Sequence, residues 1–243
     1  MARTSRRSSR KKSKRTTRPA NVVRRALGWV LRGALLVVVL VVALMALGRF
    51  LPVWTTPYMF SEGRKLGGVD YEWVALESVA PVMARSVVAA EDANFCTHWG
   101  FDMVAIREAI EDGGARGAST ISQQTVKNVY LWHGRNYTRK ALEALMTPAL
   151  EAIWPKRRII EVYLNIAEFD TGVFGVKAAA QHYFGVQPGD LTARQAARLA
   201  AILPDPKGRS ASKPSAFVRK RAASIMDGAA TIRKDGRAAC FES

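Results

Sequence analysis

The chain has 243 residues, 49% of them hydrophobic and 23% charged, which suits one medium-sized folded domain with an additional segment. A formal net charge of +17 argues against an ordinary soluble cytosolic enzyme, and two Cys and ten Pro exclude a disulfide scaffold and a proline-rich disordered chain. Eleven of the 37 Lys and Arg residues lie within residues 1–25, which contain no acidic residue. We therefore expect residues 1–25 to form a disordered basic tail.

An apolar segment follows this tail. Residues 26–48 contain a single charge, Arg32, which lies at the basic end, where its side chain can reach the membrane interface. We predict a transmembrane helix over residues 26–50, with the N-terminus in the cytoplasm because basic flanks stay on that side. A cleaved signal peptide is the alternative, but the segment is long for one and no A-x-A site follows it. The tail alone would also suit nucleic acid, but the helix favours an anionic membrane surface.

Aromatic residues are concentrated where the chain leaves the apolar segment. Phe50, Trp54, Tyr58 and Phe60 form either an interfacial belt or a surface that dips into the membrane to meet a lipid-linked substrate. We expect residues 51–206 to form an exported domain that begins with this membrane-proximal segment.

The exported domain reads as all-α. Pro81 suits the first turn of a helix, Asp102 is a predicted N-cap, and Thr120 and Thr192 each begin a capping-box pattern. Gly185 is a predicted helix C-terminus. Helical windows cover residues 103–111, 120–130, 138–154, 155–166, 176–184 and 193–203.

Three further predictions concern a proline, the C-terminal residues and the two cysteines. Pro148 should kink or interrupt its helix. Residues 207–243 form an extension of uncertain packing, only weakly helical around residues 217–225. We expect Cys96 and Cys240 to be free, because two cysteines in an exported domain do not by themselves indicate a bond.

The densest polar cluster begins at Glu91 and Asp92, at the end of an apolar helix. Near aromatic residues, and beside a second carboxylate, Glu91 could have the raised pKa that a general base or acid requires. The simpler interpretation is an acidic helix end. His98 has no second His or Cys at ligand spacing, so we predict no metal site here.

Two further polar clusters contain basic side chains. Ser119, Gln123 and Lys127 lie near one face of a helix whose N-terminus favours anions, although a capped helix with a solvated lysine would look the same. Glu143 can pair with Arg139 or Lys140, which is often only a surface contact. Together, two glutamates and several cations suit glycosyl transfer from a phosphate-activated sugar.

These residues also resemble a known family. Five ordered motifs are similar to those of the peptidoglycan glycosyltransferases. They are Glu91-Asp-x-x-Phe95-x-x-His98-x-Gly100-x-Asp102, Gly117-x-Ser119-Thr-Ile-x-Gln123-Gln124-x-x-Lys127-Asn128, Arg139-Lys140-x-x-Glu143, Lys156-Arg157-Arg158-Ile-x-Glu161-x-Tyr163-Leu164-Asn165 and Gly175-Val-x-Ala178-Ala-Ala-x-x-Tyr183-Phe184. With no penicillin-binding domain after them, the chain resembles a monofunctional biosynthetic transglycosylase.

The resemblance implies a lysozyme-like α-helical domain outside the cytoplasmic (inner) membrane that polymerises lipid II and releases undecaprenyl pyrophosphate. It implies lipid II, the growing glycan strand, membrane lipids and other cell-wall synthesis proteins as partners, and no nucleic acid. No cofactor is required, although a divalent cation, Mg or Mn, could assist at the donor pyrophosphate. The implied catalytic residues are Glu91, as general base, and Glu143. The implied substrate-binding residues are Asp92, Phe95, His98, Ser119, Thr120, Gln123, Gln124, Lys127, Asn128, Arg135, Arg139 and Lys140.

Two other functions are compatible with parts of the sequence. A glycan-cleaving enzyme could use Glu91 as a general acid, but it would have no need of the cations, because its substrate carries no pyrophosphate. A non-enzymatic membrane scaffold could use the basic tail, but it would not need the glutamate motifs.

Overall fold

The computed structural model describes residues 19–113, 117–134 and 136–242, and the chain forms two compact units, Met1–Leu44 and Met45–Ser243. Helix α1, Pro19–Gly48, supplies all of the described part of the first unit. Its segment Val22–Gly48 is long and apolar enough to cross a membrane, with a mean hydropathy of 2.8. Large apolar side chains such as Leu36 are exposed along it, which suits contact with lipid. The helix fits the predicted single-pass anchor and begins earlier than expected.

The second unit is mostly helical, as the sequence predicted. Its described helices are α2 (Pro57–Leu66), α3 (Pro81–Glu91), α4 (Met103–Glu111), α5 (Ile121–Tyr130), α6 (Tyr137–Ile153), α7 (Lys156–Ile166), α8 (Gly175–Phe184), α9 (Ala193–Ile202), α10 (Ala216–Lys234) and α11 (Ala239–Glu242).

A small sheet, which the sequence analysis did not predict, lies beside α8. It contains β1 (Asp70–Tyr71), β2 (Glu168–Asp170) and β3 (Val173–Phe174), with β3 in the centre, parallel to β1 and antiparallel to β2. Strands of two or three residues show too little period-two alternation to be recognised in a sequence.

The predicted helix ends are confirmed. The Asp102 side chain accepts hydrogen bonds from the backbone of Val104 and Ala105, and both capping boxes form, at Thr120 and at Thr192. Gly185 ends α8 in the left-handed conformation. The N-caps satisfy backbone N–H groups that have no partner inside the helix, whereas the Gly185 N–H donates to carbonyls of the last turn of α8.

The predicted interruption at Pro148 does not occur, since helix α6 continues through this residue. The hydrogen bond that Pro148 cannot donate would go to the carbonyl of Ala144, an exposed residue whose carbonyl water can solvate. The hydroxyl of Thr147 also donates to the Glu143 carbonyl, 2.7 Å away, in the same turn.

The core is centred on α7, whose side chains Ile159, Ile160 and Leu164 are completely buried. The end of α1 is fixed to this region, because Trp154 Nε1 donates to the carbonyl of Met45 at 2.6 Å. Arg158 Nη2 donates to the Gly48 carbonyl at 2.9 Å. Both contacts lie within the second unit and hold the start of that unit against α7.

The C-terminal extension is part of this core, contrary to the expectation of weak helicity. Helix α10 has 19 residues and packs on α3 and α9, burying Val218, Ala222, Ile225, Ala229 and Ile232. Its small residues gave a weak hydrophobic pattern, but they allow helices to approach closely. A Cβ at Gly228 would lie 3.1 Å from the Cβ of Ala89 on α3. The folded domain therefore continues beyond residue 206.

The expectation of free cysteines was also wrong. Cys96 and Cys240 form a disulfide across a sequence separation of 144 residues. Helix α11 returns to the loop after α3, where Phe241 packs near Phe95, with ring centroids 6.3 Å apart. Arg157 Nη1 also donates to the Phe241 carbonyl at 3.0 Å. These contacts bring the two thiols together, and no sequence spacing could have revealed them.

We expect the double variant Cys96→Ser/Cys240→Ser to unfold more easily than the oxidised wild type. Because the disulfide closes a long loop, its loss should lower the free energy of unfolding by about 2–5 kcal/mol. Denaturant unfolding of the detergent-solubilised chain measures this, and wild type with reductant should match the variant. Equal stability of the oxidised wild type and the variant would contradict the prediction.

Candidate active site

Glu91 is the last residue of α3, where the chain leaves the helix bundle for the loop that contains Asp92. Its carboxylate is mostly buried. Oε2 accepts a hydrogen bond from Gln124 Nε2 at 3.0 Å, and Gln124 Oε1 accepts one from the Tyr163 hydroxyl at 3.2 Å. A chain of polar groups from α7 through α5 thus orients the carboxylate.

Burial raises the pKa of Glu91, and the nearby charge of Asp92 adds to this effect. The hydrogen bond from Gln124 and the positive charges of Arg221 and Lys127 act in the opposite direction. Burial has the larger effect, so the carboxylate has a stronger affinity for a proton than an ordinary surface glutamate. A general base needs this property.

Asp92 supports the loop after Glu91. Its Oδ1 lies 2.8 Å from His98 Nε2, and its Oδ2 accepts the backbone N–H of Ile121, the first residue of α5, at 2.9 Å. One buried carboxylate therefore links the end of α3, the following loop and the start of α5. This link fixes the position of Glu91 relative to α5.

The turn at Gly100 completes this support. Gly100 has φ +89°, and a Cβ there would lie 2.5 Å from Thr147 Cγ2, so glycine is required. The Thr120 hydroxyl donates to the Gly100 carbonyl at 2.7 Å, while Gln123 Oε1 accepts the Thr120 backbone N–H. In the structure, Thr120 and Gln123 are thus engaged in positioning α5.

Lys127 lies on α5 beside a cavity of about 340 Å³ that Gln124 and Asn128 also line. Burial lowers the pKa of Lys127, and the positive charges of Arg139 and Lys140 lower it further, against the opposing effects of Glu143 and Glu91. Because the lysine is mostly desolvated, its ammonium group would bind an anion more strongly than a surface lysine would.

A second buried carboxylate, Glu143 on α6, holds two cations. Arg139 Nη1 lies 2.7 Å from Glu143 Oε2, and Lys140 Nζ contacts both Glu143 Oε1 and, at 3.1 Å, Ser119 Oγ. This network connects α6 to the loop before α5. Lys140 remains nearly half exposed and is available to a ligand.

The remaining predicted residues differ in their surroundings. Asn128 has a buried Oδ1 with no hydrogen-bond partner among the described residues, so this oxygen can accept a ligand donor. Phe95 is completely buried, with Lys156 Nζ 4.4 Å from its ring centroid, and it supports the loop after Glu91 by packing. Arg135 lies outside the described residues.

The structure adds residues that the sequence analysis did not assign to the site of Lys127. Tyr58, His133, Glu168 and Lys207 line the same cavity as Lys127. The Tyr58 hydroxyl donates to Glu168 at 2.7 Å, its ring stacks on His133 with centroids 3.5 Å apart, and Lys207 Nζ lies 3.3 Å from Glu168 Oε1. Burial lowers the pKa of His133 to about 4, so this ring is neutral near pH 7.

The residues also determine where a divalent cation could be held. Among the described residues there is no group of three or more His, Cys, Asp or Glu that could hold a metal ion. The described charges that act on Lys127 are of both signs, since Glu143 and Glu91 are acidic and Arg139 and Lys140 are basic. The described residues thus offer no set of three such ligands, and a Mg or Mn ion at the donor pyrophosphate stays a prediction.

Comparison with known proteins identifies the family. The family model described as Transglycosylase matches residues 62–230. The chain belongs to this family. A biosynthetic peptidoglycan transglycosylase of Jannaschia sp. (strain CCS1) is 58% identical over 232 residues, which cover 95% of this chain and 97% of that protein. One from Caulobacter vibrioides is 46% identical, with 87% and 96% covered, and one from Pasteurella multocida is 47% identical, with 76% and 80% covered.

Membership of the transglycosylase family confirms the resemblance described from the sequence and the expectation of a peptidoglycan glycosyltransferase. It also confirms a lysozyme-like helical fold preceded by one apolar helix. The family match extends to residue 230 and so includes most of α10, in agreement with the packing of that helix in the core.

Proposed function

We propose that this transglycosylase polymerises lipid II into β-1,4-linked glycan with Glu91 as the general base. The observation that supports this most is the position of a buried carboxylate of raised pKa within electrostatic reach of a buried lysine. Glycosyl transfer from a pyrophosphate donor needs both: a base for the attacking hydroxyl and a positive charge for the leaving group.

In the proposed reaction, Glu91 removes the proton from the 4-hydroxyl of the acceptor GlcNAc. The hydroxyl oxygen attacks C1 of the donor sugar as the bond from C1 to the pyrophosphate oxygen breaks, and the configuration at C1 inverts. Gln124 keeps one carboxylate oxygen in place, so Glu91 does not have to reorient before it takes the proton.

The cations act on the leaving group. Undecaprenyl pyrophosphate gains negative charge as the bond to C1 breaks, and Lys127, Arg139 and Lys140 would stabilise that charge. Glu143 holds the last two in a fixed arrangement, which reduces the cost of orienting them around the substrate. Asn128 Oδ1 and Ser119 are available for sugar hydroxyls. We assign no step to a divalent cation.

We also propose that the folded domain lies outside the cytoplasmic membrane. The basic tail favours a cytoplasmic N-terminus, and a disulfide is typical of oxidising compartments outside the cytoplasm. The lipid-linked substrate would then meet the domain at the outer face of the cytoplasmic membrane.

A polymerisation assay tests this function against glycan cleavage. Purified full-length chain in detergent is supplied either with labelled lipid II or with labelled sacculi. We expect long glycan strands and released undecaprenyl pyrophosphate from lipid II, and no shortening of the glycan in sacculi. Shortened glycan strands in the sacculi, without polymerisation of lipid II, would instead indicate a hydrolase.

A further inference from the structure

The two oxygens of the Glu91 carboxylate have different surroundings. Oε2 accepts the hydrogen bond from Gln124, whereas Oε1 is buried and has no hydrogen-bond donor among the described residues. The cation beside Oε1 is Arg221 of α10, whose Nη2 lies 3.8 Å away. We infer that Arg221 is a positioning residue that keeps Glu91 ionised and oriented for proton removal. This inference rests on the proposed function of Glu91.

The position of Arg221 is fixed by the packing of α10 on α3. Its Nη2 donates to the carbonyl of Ala90, the residue before Glu91, at 3.3 Å. About two turns further along α10, Gly228 allows the close approach to Ala89. Arg221 Nε is buried without a hydrogen-bond partner among the described residues, so the guanidinium is partly desolvated. Desolvation strengthens its attraction for a nearby carboxylate.

The charged and polar groups around Glu91 lie on four parts of the chain: the loop after α3, α5, α7 and α10. Asp92 follows it and favours the protonated form, while Gln124 and Lys127 of α5 favour the ionised form. Tyr163 of α7 is a neutral phenol at neutral pH, because burial raises its pKa. Arg221 of α10 favours the ionised form. Two cations therefore oppose the effect of burial.

These two cations would not have equal effects during catalysis. In the proposed reaction, Lys127 binds the donor pyrophosphate, whose negative charge offsets the influence of Lys127 on Glu91. Arg221 is paired with no ligand group in this scheme. Among the described residues that act on Glu91, it then remains the main positive charge that keeps the base ready after the donor has bound.

The test compares pH profiles of kcat for lipid II polymerisation, because kcat reports the pKa of Glu91 in the substrate-bound enzyme. An opposite charge about 4 Å away lowers a carboxyl pKa by about one unit or more, so Arg221→Gln should shift the acid limb to higher pH by about one unit. Activity should fall about tenfold at pH values below the limb and recover well above it. Lys220→Gln removes the same charge from an exposed neighbouring position and should leave the limb unchanged.

Two further variants separate the possible outcomes. Arg221→Lys retains the charge on a different head group, so its limb should lie between wild type and Arg221→Gln. If Arg221→Gln does not fold, the limb of Arg221→Lys decides. A loss of equal size at every pH, or an unmoved limb, would overturn the role of Arg221 while leaving Glu91 as the base. High activity of Glu91→Gln would instead overturn the proposed function.

Discussion

Glu91→Gln is expected to lower kcat/KM for polymerisation by about 10²–10⁴-fold, the usual contribution of a positioned general base. Glutamine keeps the size and one oxygen acceptor, so the hydrogen bond with Gln124 can persist. The amide cannot take the proton of the acceptor hydroxyl, and the loss should therefore appear in kcat.

The pH dependence of the wild type provides a second measurement. Burial raises the pKa of Glu91, and a base acts only when it is deprotonated. Activity should therefore rise with pH through an acid limb that lies above the range of an ordinary carboxyl group. Glu111→Gln, at an exposed position on α4, is the control and should retain activity. Activity of Glu91→Gln within threefold of wild type would exclude Glu91 as the base.

The helix ends could be predicted because their signals are local. Asp102, Thr120 and Gly185 each act on backbone groups within a few residues, so their side-chain chemistry determines the boundary without reference to the fold. The pairing of Glu143 with Arg139 and Lys140 was foreseen for the same reason, since residues three and four apart meet on a helix.

Contacts between distant segments could not be predicted in this way. Gln124 reaches Glu91 across 33 residues, Tyr58 reaches Glu168 across 110, and Cys96 reaches Cys240 across 144. Each of these contacts depends on how the helices pack. The weak hydrophobic pattern of α10 did not predict one of those helices at its full length. The family motifs indicated which residues share a site, but not which of them support the others.

In the motif from Glu91 to Asp102, three residues make supporting contacts inside the protein. Asp92, Phe95 and His98 were grouped with substrate-binding residues, and that prediction is untested. In the structure each has a partner inside the protein: the α5 backbone, the core, and the Asp92 carboxylate. They form a rigid frame around Glu91, and such frames are needed to hold a catalytic group within a fraction of an ångström.

Lys127→Met is expected to lower kcat/KM for lipid II polymerisation by about 10²–10³-fold, the range for removing one group that stabilises developing charge. Methionine fills the space of the lysine stem, so the fold should persist and the melting temperature should stay close to that of wild type. Because the pyrophosphate gains charge as its bond to C1 breaks, kcat should fall as well as the affinity for the donor.

The ionisation of Lys127 predicts the other limb of the pH profile. Burial lowers its pKa, so the lysine loses its proton, and with it the positive charge, at a lower pH than a surface lysine does. Activity should therefore decline on the basic side of the profile. Lys127→Arg keeps a positive charge to high pH and should move this decline upward, even if its maximal rate is reduced. Lys220→Met removes an exposed charge and should leave both limbs in place. A basic limb that is identical in wild type and Lys127→Arg would show that another group causes the decline.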